Sequence, residues 1–379
     1  MTIYSEDVPT SANVLRAVRS LSGDDGVVLG YHPVARMNPY QALLYCRARS
    51  SGFAPVPIPD IEDLNALVAA AQQGVDSLFH LHWTSGVLGG APDAQTARVR
   101  ADHFVDLLTS AKEKGVGLVW TVHNALPHGC RYPDEERRMR SMLAELMDLI
   151  HVMGDETVAE LSSMYQLPEH KTVVVPHPSY VGAYPTDIER EQARFEFGFE
   201  REHLIFGAIG SIQPYKGLES LADEVTRLSI DDATVRLLIA GVPGRDDDSK
   251  ELIARIESSP TVRLLARRLD DRWLTMAVAA LDISVLPYRS SLNSGAAMLS
   301  ISNGVPIIAP YTGGFRSLID RGLGIGFDPS DTSALGDALI SARDFVVGFS
   351  RETAMEYAEE MKPPIVSIRF FEQLRMLSI

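Results

Sequence analysis

The chain has 379 residues, of which 45% are hydrophobic and 22% are charged, and its formal net charge is −15. This length and composition predict a folded protein of two or three domains. They exclude a disordered, collagen-like or disulfide-stabilised chain. The excess of acidic residues argues against general nucleic-acid binding, which needs Lys and Arg at the surface. The two cysteines are too few for a disulfide framework, the first residues lack a signal-peptide pattern, and no apolar run reaches the roughly 18 residues of a membrane span, so a cytoplasmic protein is expected.

The first half of the chain alternates short apolar runs with longer amphipathic stretches, a pattern typical of βα units in a parallel sheet. Near-continuous hydrophobicity within each run predicts strands that helices cover on both faces. The predicted strands are 27–31, 55–58, 77–83, 117–123, 149–153 and 172–177.

A second series of apolar runs begins after an acidic stretch, 182–198, which we interpret as a linker and the first helix of a second domain. Its predicted strands are 203–210, 235–241, 262–266, 282–288, 305–310 and 323–327. Its predicted helices begin at Tyr215, Ser249, Asp271, Ser294 and Phe315. The last stretch, 351–378, predicts two helices because Lys362-Pro363-Pro364 interrupts it. The sequence therefore predicts an α/β protein of two Rossmann-like domains that face a cleft.

Ligands of open α/β sheets bind at the carboxyl ends of the strands, so the chemistry is expected in the loops that follow them. The loop GAIGSIQPYKG leads from a strand into a helix and includes Gly210, Lys216 and Gly217. Glycine lets the backbone approach a ligand, and a lysine at a helix N-terminus favours phosphate. The loop matches neither GxxxxGK[ST] nor GxGxxG, and a surface lysine beside a turn glycine is the alternative interpretation.

A second loop, YRSSLNSGAA, follows the strand predicted at 282–288. Asn293, Ser294, Gly295 and Ala296 put a capping residue and small residues at the start of a helix, where backbone N–H groups would face a bound anion. The alternative is that Asn293 or Ser294 only caps the helix, and both interpretations can hold together.

In the first domain, WTVHNALPHG puts His123 and Asn124 at the carboxyl end of a strand, with His128 five residues after His123. A histidine at that position is a candidate for contact with a ligand in the cleft, and a structural or solvated histidine is the alternative. His80 and His82 share one face of a strand, but no third residue has the spacing of a metal ligand, so packing and hydrogen bonding are expected there.

The opening GYHPVARMNPYQALLY supplies His32, Arg36, Asn38 and Tyr40 in a loop toward the same cleft. Arginines are frequent in the first fifty residues, where they form either a solvated helix face or a patch for an anionic acceptor or lipid headgroup. The acidic run Asp246-Asp247-Asp248 is expected to be a solvated loop rather than a cation site.

Taken in chain order, these motifs resemble retaining glycosyltransferases of the GT-B architecture, in particular glycosyltransferase family 4, over nearly the whole chain. The motifs that carry the resemblance are GYHPVARMNPYQALLY, HLHW, WTVHNALPH, PHPSYVGAYP, GSIQPYKG, YRSSLNSG with NGVPIIAP, and the broken last helix. WTVHNALPH and YRSSLNSG are similar to the branch associated with polysaccharide assembly. The resemblance implies an acceptor-binding domain, 1–180, onto which 351–379 packs back, and a donor-binding domain, 181–350.

The resemblance also implies roles for individual residues. Lys216 and His123 would take part in the reaction, the first at the donor diphosphate and the second at the donor sugar. The donor-binding residues would be Gly210, Ser211, Gln213, Gly217, Gly241, Arg245, Tyr288, Arg289, Asn293, Ser294, Gly295 and Ala296. The acceptor-binding residues would be His32, Arg36, Asn38, Tyr40, Asn124 and His128. The resemblance to GT-B enzymes also implies that no bound metal is needed. No cofactor is expected, because the substrate is itself a sugar linked to a nucleotide, GDP or UDP.

The sequence departs from the family pattern in the donor-binding loops. Members usually have an arginine at the position of Ser211 or Gln213, and two glutamates at about Ser291 and Leu299. Those glutamates normally contact hydroxyl groups of the donor, so their absence leaves the sugar and the base undefined.

The resemblance implies transfer of a hexose from a nucleotide-diphosphate sugar to a saccharide or lipid-linked saccharide, without metal and with retention of the anomeric configuration. Cations and helix N-termini would stabilise the charge that grows on the departing phosphate, with Arg245 or Arg289 replacing the missing arginine. A sugar-nucleotide epimerase of the same architecture and a non-catalytic donor-binding subunit are the alternatives. The expected partners are the donor and a saccharide or polyprenyl-linked acceptor, with peripheral contact at the inner membrane face and no nucleic acid.

Overall fold

The computed structural model describes residues 9–21, 26–127, 129–185, 187–244, 246–288 and 291–377. The chain divides into two units: the first runs to Pro178 and resumes at Pro363, and the second is Ser179–Lys362. Each unit is a parallel sheet with helices around it, as expected from strands that are apolar along their whole length. No helix in the described ranges is long and apolar enough to cross a membrane.

In the described part of the first unit, six strands form the sheet, and each corresponds to a strand predicted from the sequence. The strands are β1 (Val27–His32), β2 (Phe53–Pro57), β3 (Ser77–Leu81), β4 (Val116–Thr121), β5 (Leu149–Val152) and β6 (Thr172–Val174). The helices that accompany them are α1 (Thr10–Ser20), α2 (Tyr40–Leu44), α3 (Leu64–Ala71), α4 (Ala94–Glu113), α5 (Pro133–Leu146) and α6 (Thr157–Leu161).

The order of the strands positions the loops of the first unit. The sheet runs β2-β1-β3-β4-β5-β6, with all neighbouring strands parallel. The connection that leaves β1 goes to one side of the sheet, and the connection that leaves β3 goes to the other. In such sheets a crevice opens where the direction changes, outside the carboxyl ends of the strands. His32 ends β1 and His82 follows β3 directly, so both lie at this point.

The described residues of the second unit form another six strands, again at the predicted positions. They are β7 (Leu204–Ile209), β8 (Val235–Gly241), β9 (Val262–Ala266), β10 (Ile283–Val285), β11 (Ile307–Pro310) and β12 (Gly324–Phe327). The helices are α7 (Arg190–Phe197), α8 (Leu218–Asp231), α9 (Asp247–Glu257), α10 (Asp271–Ala279), α11 (Gly295–Ser302), α12 (Gly313–Asp320), α13 (Ala334–Gly348) and α14 (Arg351–Glu360). The expected solvated loop at 246–248 is instead the start of α9, because the Asp246 carboxylate accepts a hydrogen bond from the backbone N–H of Ser249 and caps the helix.

The second sheet runs β12-β11-β10-β7-β8-β9, and its strands are also parallel. Here the connections diverge between β7 and β10, so the expected ligand crevice lies outside the carboxyl ends of these two strands. Phe206, Leu237 and Ile283 are fully buried beneath the helices and hold the strands in place.

The last two helices go to different units. Helix α14 packs against α11 of the second unit and buries Ala354 and Ala358 completely. The next helix, α15 (Pro363–Arg375), begins at Pro363 and packs against α2 of the first unit. The expectation that all of 351–379 returns to the first unit therefore needs correction, since only the part from Pro363 onward belongs to it. Proline at the first position of α15 lacks an N–H group that the helix would leave unpaired, which explains why the break falls there.

A buried carboxylate ties the first helix of the second unit to its sheet. Asp282 accepts hydrogen bonds from Arg190, from Arg194 at 2.6 Å and from the backbone N–H of Ile205 at 2.8 Å. Arg194 and Asp282 are both nearly buried, so removal of one partner would leave the other charge without compensation.

We expect Asp282→Ala to lower the free energy of unfolding of the second unit by about 3 kcal/mol or more, because the Arg194 guanidinium would stay buried without its carboxylate. Urea denaturation measures this. Glu191→Ala on the same helix is the matched control: its carboxylate lies 3.9 Å from Arg201 on the exposed surface, and its loss should cost about 0.5 kcal/mol or less. Equal effects of the two substitutions would contradict the prediction.

Candidate functional site

The backbones at the ends of β7 and β8 touch each other. Gly210 and Gly241 have φ values of 135° and 152°, and the Gly210 N–H donates to the carbonyl of Ala240 at 2.9 Å. A Cβ atom on Gly241 would lie 1.6 Å from the carbonyl oxygen of Gly210. Only glycine fits at Gly241, and the close contact fixes the course of the loop that leaves β7.

This loop carries Lys216 to the end of the sheet. Pro214–Lys216 form a single 3-10 turn that Gly217 ends with a left-handed conformation, φ 68°. A Cβ atom on Gly217 would lie 2.3 Å from the carbonyl oxygen of Pro287, so this loop also packs directly on the loop after β10. The ammonium nitrogen of Lys216 comes within 3.0 Å of the position that a Cβ atom of Gly210 would occupy.

The charge of Lys216 is only partly compensated. Burial lowers the pKa of its ammonium group, and Tyr215 opposes that shift. Within the described residues, no carboxylate forms an ion pair with it. A cation in this state gains more from a bound anion than an exposed lysine does, because the protein has already removed part of its water.

Tyr288 joins the two loops of the second unit. Its ring lies 5.5 Å from the Lys216 ammonium nitrogen, measured to the ring centroid, and 6.0 Å from the ring of Phe315. Burial raises the pKa of the Tyr288 hydroxyl to about 12, although a hydrogen bond to the Ser294 side chain acts in the opposite direction. The predicted residues Gly210, Ser211, Lys216 and Tyr288 line one small pocket.

The N-terminus of α11 lies beside Tyr288. Ser294 caps this helix, since its hydroxyl accepts from the N–H of Ala297 at 3.2 Å and its carbonyl accepts from Met298 at 3.1 Å. Among the described residues, the N–H groups of Gly295 and Ala296 have no acceptor. The capping interpretation and the anion-binding interpretation are thus compatible, because the cap leaves two donors available.

Other predicted donor residues have different positions. Gln213 lies half-buried at the start of the 3-10 turn, and its carbonyl accepts from the Lys216 N–H. Ser291, at one of the two glutamate positions, donates its hydroxyl to the carbonyl of Asn293 at 2.6 Å. Leu299, at the other, is buried in α11 and has no polar group to offer a sugar. Arg245 and Arg289 lie outside the described residues, as does His128.

A third loop near the site was not selected from the sequence. Gly314 follows β11 and donates its N–H to the carbonyl of Leu292 at 3.1 Å, and a Cβ atom on it would lie 2.6 Å from that carbonyl oxygen. The hydroxyl oxygen of Thr312 is buried and has no hydrogen-bond partner in the described part of the chain. The signal in the sequence is Thr312-Gly313-Gly314 directly after a strand of the same sheet.

In the first unit, His123 lies just beyond β4 and is almost completely buried. Its ring stacks on Trp83 with 4.1 Å between ring centroids, and Tyr40 contacts it edge-on at 4.9 Å. Burial and the neighbouring histidines hold the pKa of His123 well below its usual 6.5. His123 is therefore an uncharged imidazole at neutral pH.

A buried ion pair that the sequence analysis missed supports the loop after His123. Arg140 donates to the carbonyl of Asn124 at 2.8 Å, to the Thr84 hydroxyl at 2.7 Å and to Glu136 at 2.9 Å. These contacts hold Asn124 against the body of the unit and bring it next to His123 in one pocket. An arginine four residues after a glutamate is typical of a solvated helix face, so the sequence contains no signal of this role.

The residues predicted in the opening loop have different surroundings. His32 donates from Nδ1 to the carbonyl of Ile58 at 2.8 Å, and Asn38 accepts from the N–H of Tyr40 at 3.0 Å, so both shape the loop itself. Arg36 is exposed. Tyr40 is only 1% exposed, so its side chain packs around His123 and does not offer a surface to an acceptor.

The named proteins to which this chain is similar in sequence are glycosyltransferases. Residues 203–344, most of the second unit, match the family model described as "Glycosyl transferases group 1". The chain is 24% identical over 247 residues to a GDP-mannose:glycolipid 4-beta-D-mannosyltransferase of Xanthomonas campestris pv. campestris, an alignment that covers 64% of each chain. It is 26% identical over 278 residues to a D-inositol 3-phosphate glycosyltransferase of Corynebacterium glutamicum, which covers 70% of this chain and 64% of the relative's length.

Solved structures show the same fold. A sucrose-phosphate synthase of Thermosynechococcus elongatus superposes with a TM-score of 0.70 at 14% identity over 93% of this chain and 98% of the other. The Anabaena HepE protein in complex with UDP-glucose gives a TM-score of 0.67 at 16% identity, over 93% and 100%. These matches confirm the GT-B fold of two Rossmann-like domains; the narrower assignment to family 4 stays a prediction.

Gly241→Ala tests the contact between the two strand ends. The added methyl group would collide with the Gly210 carbonyl, so we expect a loss of about 3 kcal/mol or more in the free energy of unfolding of the second unit. Gly322→Ala is the control, since Gly322 also has a positive φ of 73° but nothing within 4 Å of its Cβ position; its cost should be about 1 kcal/mol. Urea denaturation of both variants measures the two losses in the free energy of unfolding. Similar losses would show that the backbone conformation, and not the contact with Gly210, requires glycine at position 241.

Proposed function

We propose that this protein, whose second unit matches the group 1 glycosyl transferases, moves a hexose from a nucleotide-diphosphate sugar to a saccharide or lipid-linked saccharide. The observation that carries the proposal is Lys216, a partly desolvated cation without a carboxylate partner among the described residues. It lies next to Tyr288 at the point where the second sheet reverses its strand order. A diphosphate group has the charge and the size to interact with such a cation and with the N–H groups of Gly295 and Ala296, for which the described part of the chain supplies no acceptor.

The same groups suit the chemistry of transfer. As the glycosidic bond to the donor breaks, negative charge grows on the departing diphosphate, and donors fixed beside it stabilise the transition state more than the ground state. In this proposal Lys216 and the N–H groups of Gly295 and Ala296 supply that stabilisation, so the reaction needs no metal ion. One relative is named for GDP-mannose and a glycolipid, which supports a nucleotide-sugar donor and a lipid-linked acceptor. Another is named for inositol 3-phosphate, which supports a polar acceptor.

Retention of the anomeric configuration is the finer part of the proposal. An inverting reaction needs a base on the acceptor hydroxyl, most often a carboxylate or an imidazole. Behind His123, the buried carboxylate of Glu136 accepts from both Arg140 and Thr84, so it is not available as that base. The imidazole at this site, His123, is a weak base, because burial and the neighbouring histidines hold its pKa well below 6.5. In this proposal the proton of the acceptor therefore goes to the departing phosphate on the same face of the sugar.

Lys216→Met should reduce transfer from the donor sugar by about 100-fold or more, because one fixed charge at the leaving group is lost. The assay supplies GDP-, UDP- and ADP-sugars with a pool of saccharide acceptors and measures release of the nucleoside diphosphate. Lys250→Met is the matched control, since Lys250 forms an exposed ion pair with Asp247, and the activity of this variant should equal that of the wild type. Unchanged transfer in Lys216→Met would remove Lys216 from the site, and nucleotide binding without transfer by the wild type would favour the non-catalytic donor-binding subunit.

The stereochemical course can be read from the product directly. We expect the new glycosidic bond to have the anomeric configuration of the donor, as seen in the coupling constant of the anomeric proton by NMR of the first product formed. An inverted product would contradict the proton route through the phosphate and would require a base in the first unit. One relative is named for the formation of a 4-beta linkage. The configuration of the bond that this chain forms therefore has to be measured and is not carried over from a relative.

A further inference from the structure

A continuous chain of hydrogen bonds runs behind His123 through the buried part of the first unit. We call it the imidazole relay; its members are His123, His82, Tyr45, His80, Thr121 and His151. The His123 Nε2 atom lies 3.1 Å from His82 Nδ1, and the Tyr45 hydroxyl lies 2.7 Å from both His82 Nε2 and His80 Nδ1. His80 Nε2 lies 2.7 Å from the Thr121 hydroxyl, which lies 2.9 Å from His151 Nδ1.

The far end of the relay fixes its direction. His151 Nε2 lies 2.8 Å from the carbonyl oxygen of Val175, which can only accept, so this nitrogen holds the proton. In a neutral imidazole the other nitrogen is then an acceptor, so the Thr121 hydroxyl donates to His151 Nδ1. Thr121 has one proton, so it must accept from His80 Nε2.

The remaining hydrogen bonds have directions that follow in turn up to His123. His80 Nδ1 accepts from the Tyr45 hydroxyl, and Tyr45 in turn accepts from His82 Nε2. His82 Nδ1 therefore accepts from His123 Nε2. We propose that the imidazole relay holds His123 in the Nε2–H tautomer, so that its Nδ1 atom can act only as an acceptor, toward a hydroxyl group of the sugar substrate. The tautomer of His123 is inferred from the hydrogen bonds alone, whereas its contact with a sugar hydroxyl rests on the proposed function.

The surroundings keep the four imidazoles of the relay neutral. The four histidines of the relay are buried, and burial lowers the pKa of each, to about 4 for His151. Helix α15 closes the relay from outside: Phe370 stacks on His80 with 5.2 Å between centroids and also contacts His151 and Tyr45. His80 and His82, which the sequence suggested as packing residues, thus act as positioning residues in this proposal.

Histidine-selective ¹⁵N labelling tests the tautomer without any substrate. Two-bond proton–nitrogen correlations distinguish the Nε2–H form, the Nδ1–H form and the charged ring, and His123→Gln identifies the signals of residue 123. At neutral pH we expect the Nε2–H pattern for His123. A protonated Nδ1 at His123 would overturn the proposal.

Thr121→Val cuts the relay, and Thr121→Ser is the matched control that keeps the hydroxyl. In Thr121→Val, His80 loses the acceptor that sets its direction, so we expect a substantial Nδ1–H population at His123, while His151 keeps its proton on Nε2. Thr121→Ser should give the wild-type spectrum. If Thr121→Val does not fold, Tyr45→Phe makes the cut one step nearer to His123. An unchanged His123 tautomer in the cut variant would show that the relay does not set it.

Kinetics then test the role of the acceptor atom. Transfer should fall about tenfold in Thr121→Val, the value of one neutral hydrogen bond, and should recover in Thr121→Ser, with nucleotide binding at Lys216 unchanged in both. Wild-type transfer by the cut variant, despite a changed tautomer, would overturn the contact with sugar. The expected spectra without transfer by the wild type from any donor would refute the proposed function and leave the tautomer assignment intact.

Discussion

Both candidate sites depend on the same topological constraint. In each parallel sheet there is one place where the connections of two neighbouring strands leave to opposite sides, and the site lies at that place. At that place no connection crosses the end of the sheet, so polar side chains and backbone N–H groups can reach a ligand. In the first sheet the constraint acts between β1 and β3, next to His82 and His123. In the second sheet it acts between β7 and β10, next to Lys216 and Tyr288. The residues differ between the sheets, but their location follows from strand order alone.

Within the second unit, close packing of backbone on backbone turns this location into a shaped surface. The absent side chains of Gly217 and Gly241 let three loops approach one another at distances that any Cβ atom would prevent. The result is a cation held beside a tyrosine ring, and a capped helix with two N–H donors that find no acceptor in the part of the chain that the structure describes. Such an arrangement costs folding stability, because the lysine loses water without gaining a counter-ion, and a bound anion restores what is missing.

The sequence predicted those features of the fold and of the site that depend on residues close together in the chain. Continuous apolar runs predicted each strand that the described residues form. The glycines and the lysine at one strand end predicted the loop of Lys216. Both predictions depend on residues adjacent in the chain. Features built from distant residues had no such signal. The Arg140–Glu136 pair has the spacing of a surface ion pair, and only its burial gives it a role beside Asn124. Tyr40 was expected in an open loop because the sequence does not reveal that His123 and His177 pack against its ring.

The path of the chain between the two units has a consequence for the order in which they form. The second unit is one uninterrupted segment inserted into the first, and α15, which covers His80 and Tyr45, follows that whole segment. During synthesis the ribosome therefore releases a complete second unit before the first unit has received its covering helix. Until α15 is made, the first unit lacks the helix that covers His80 and Tyr45.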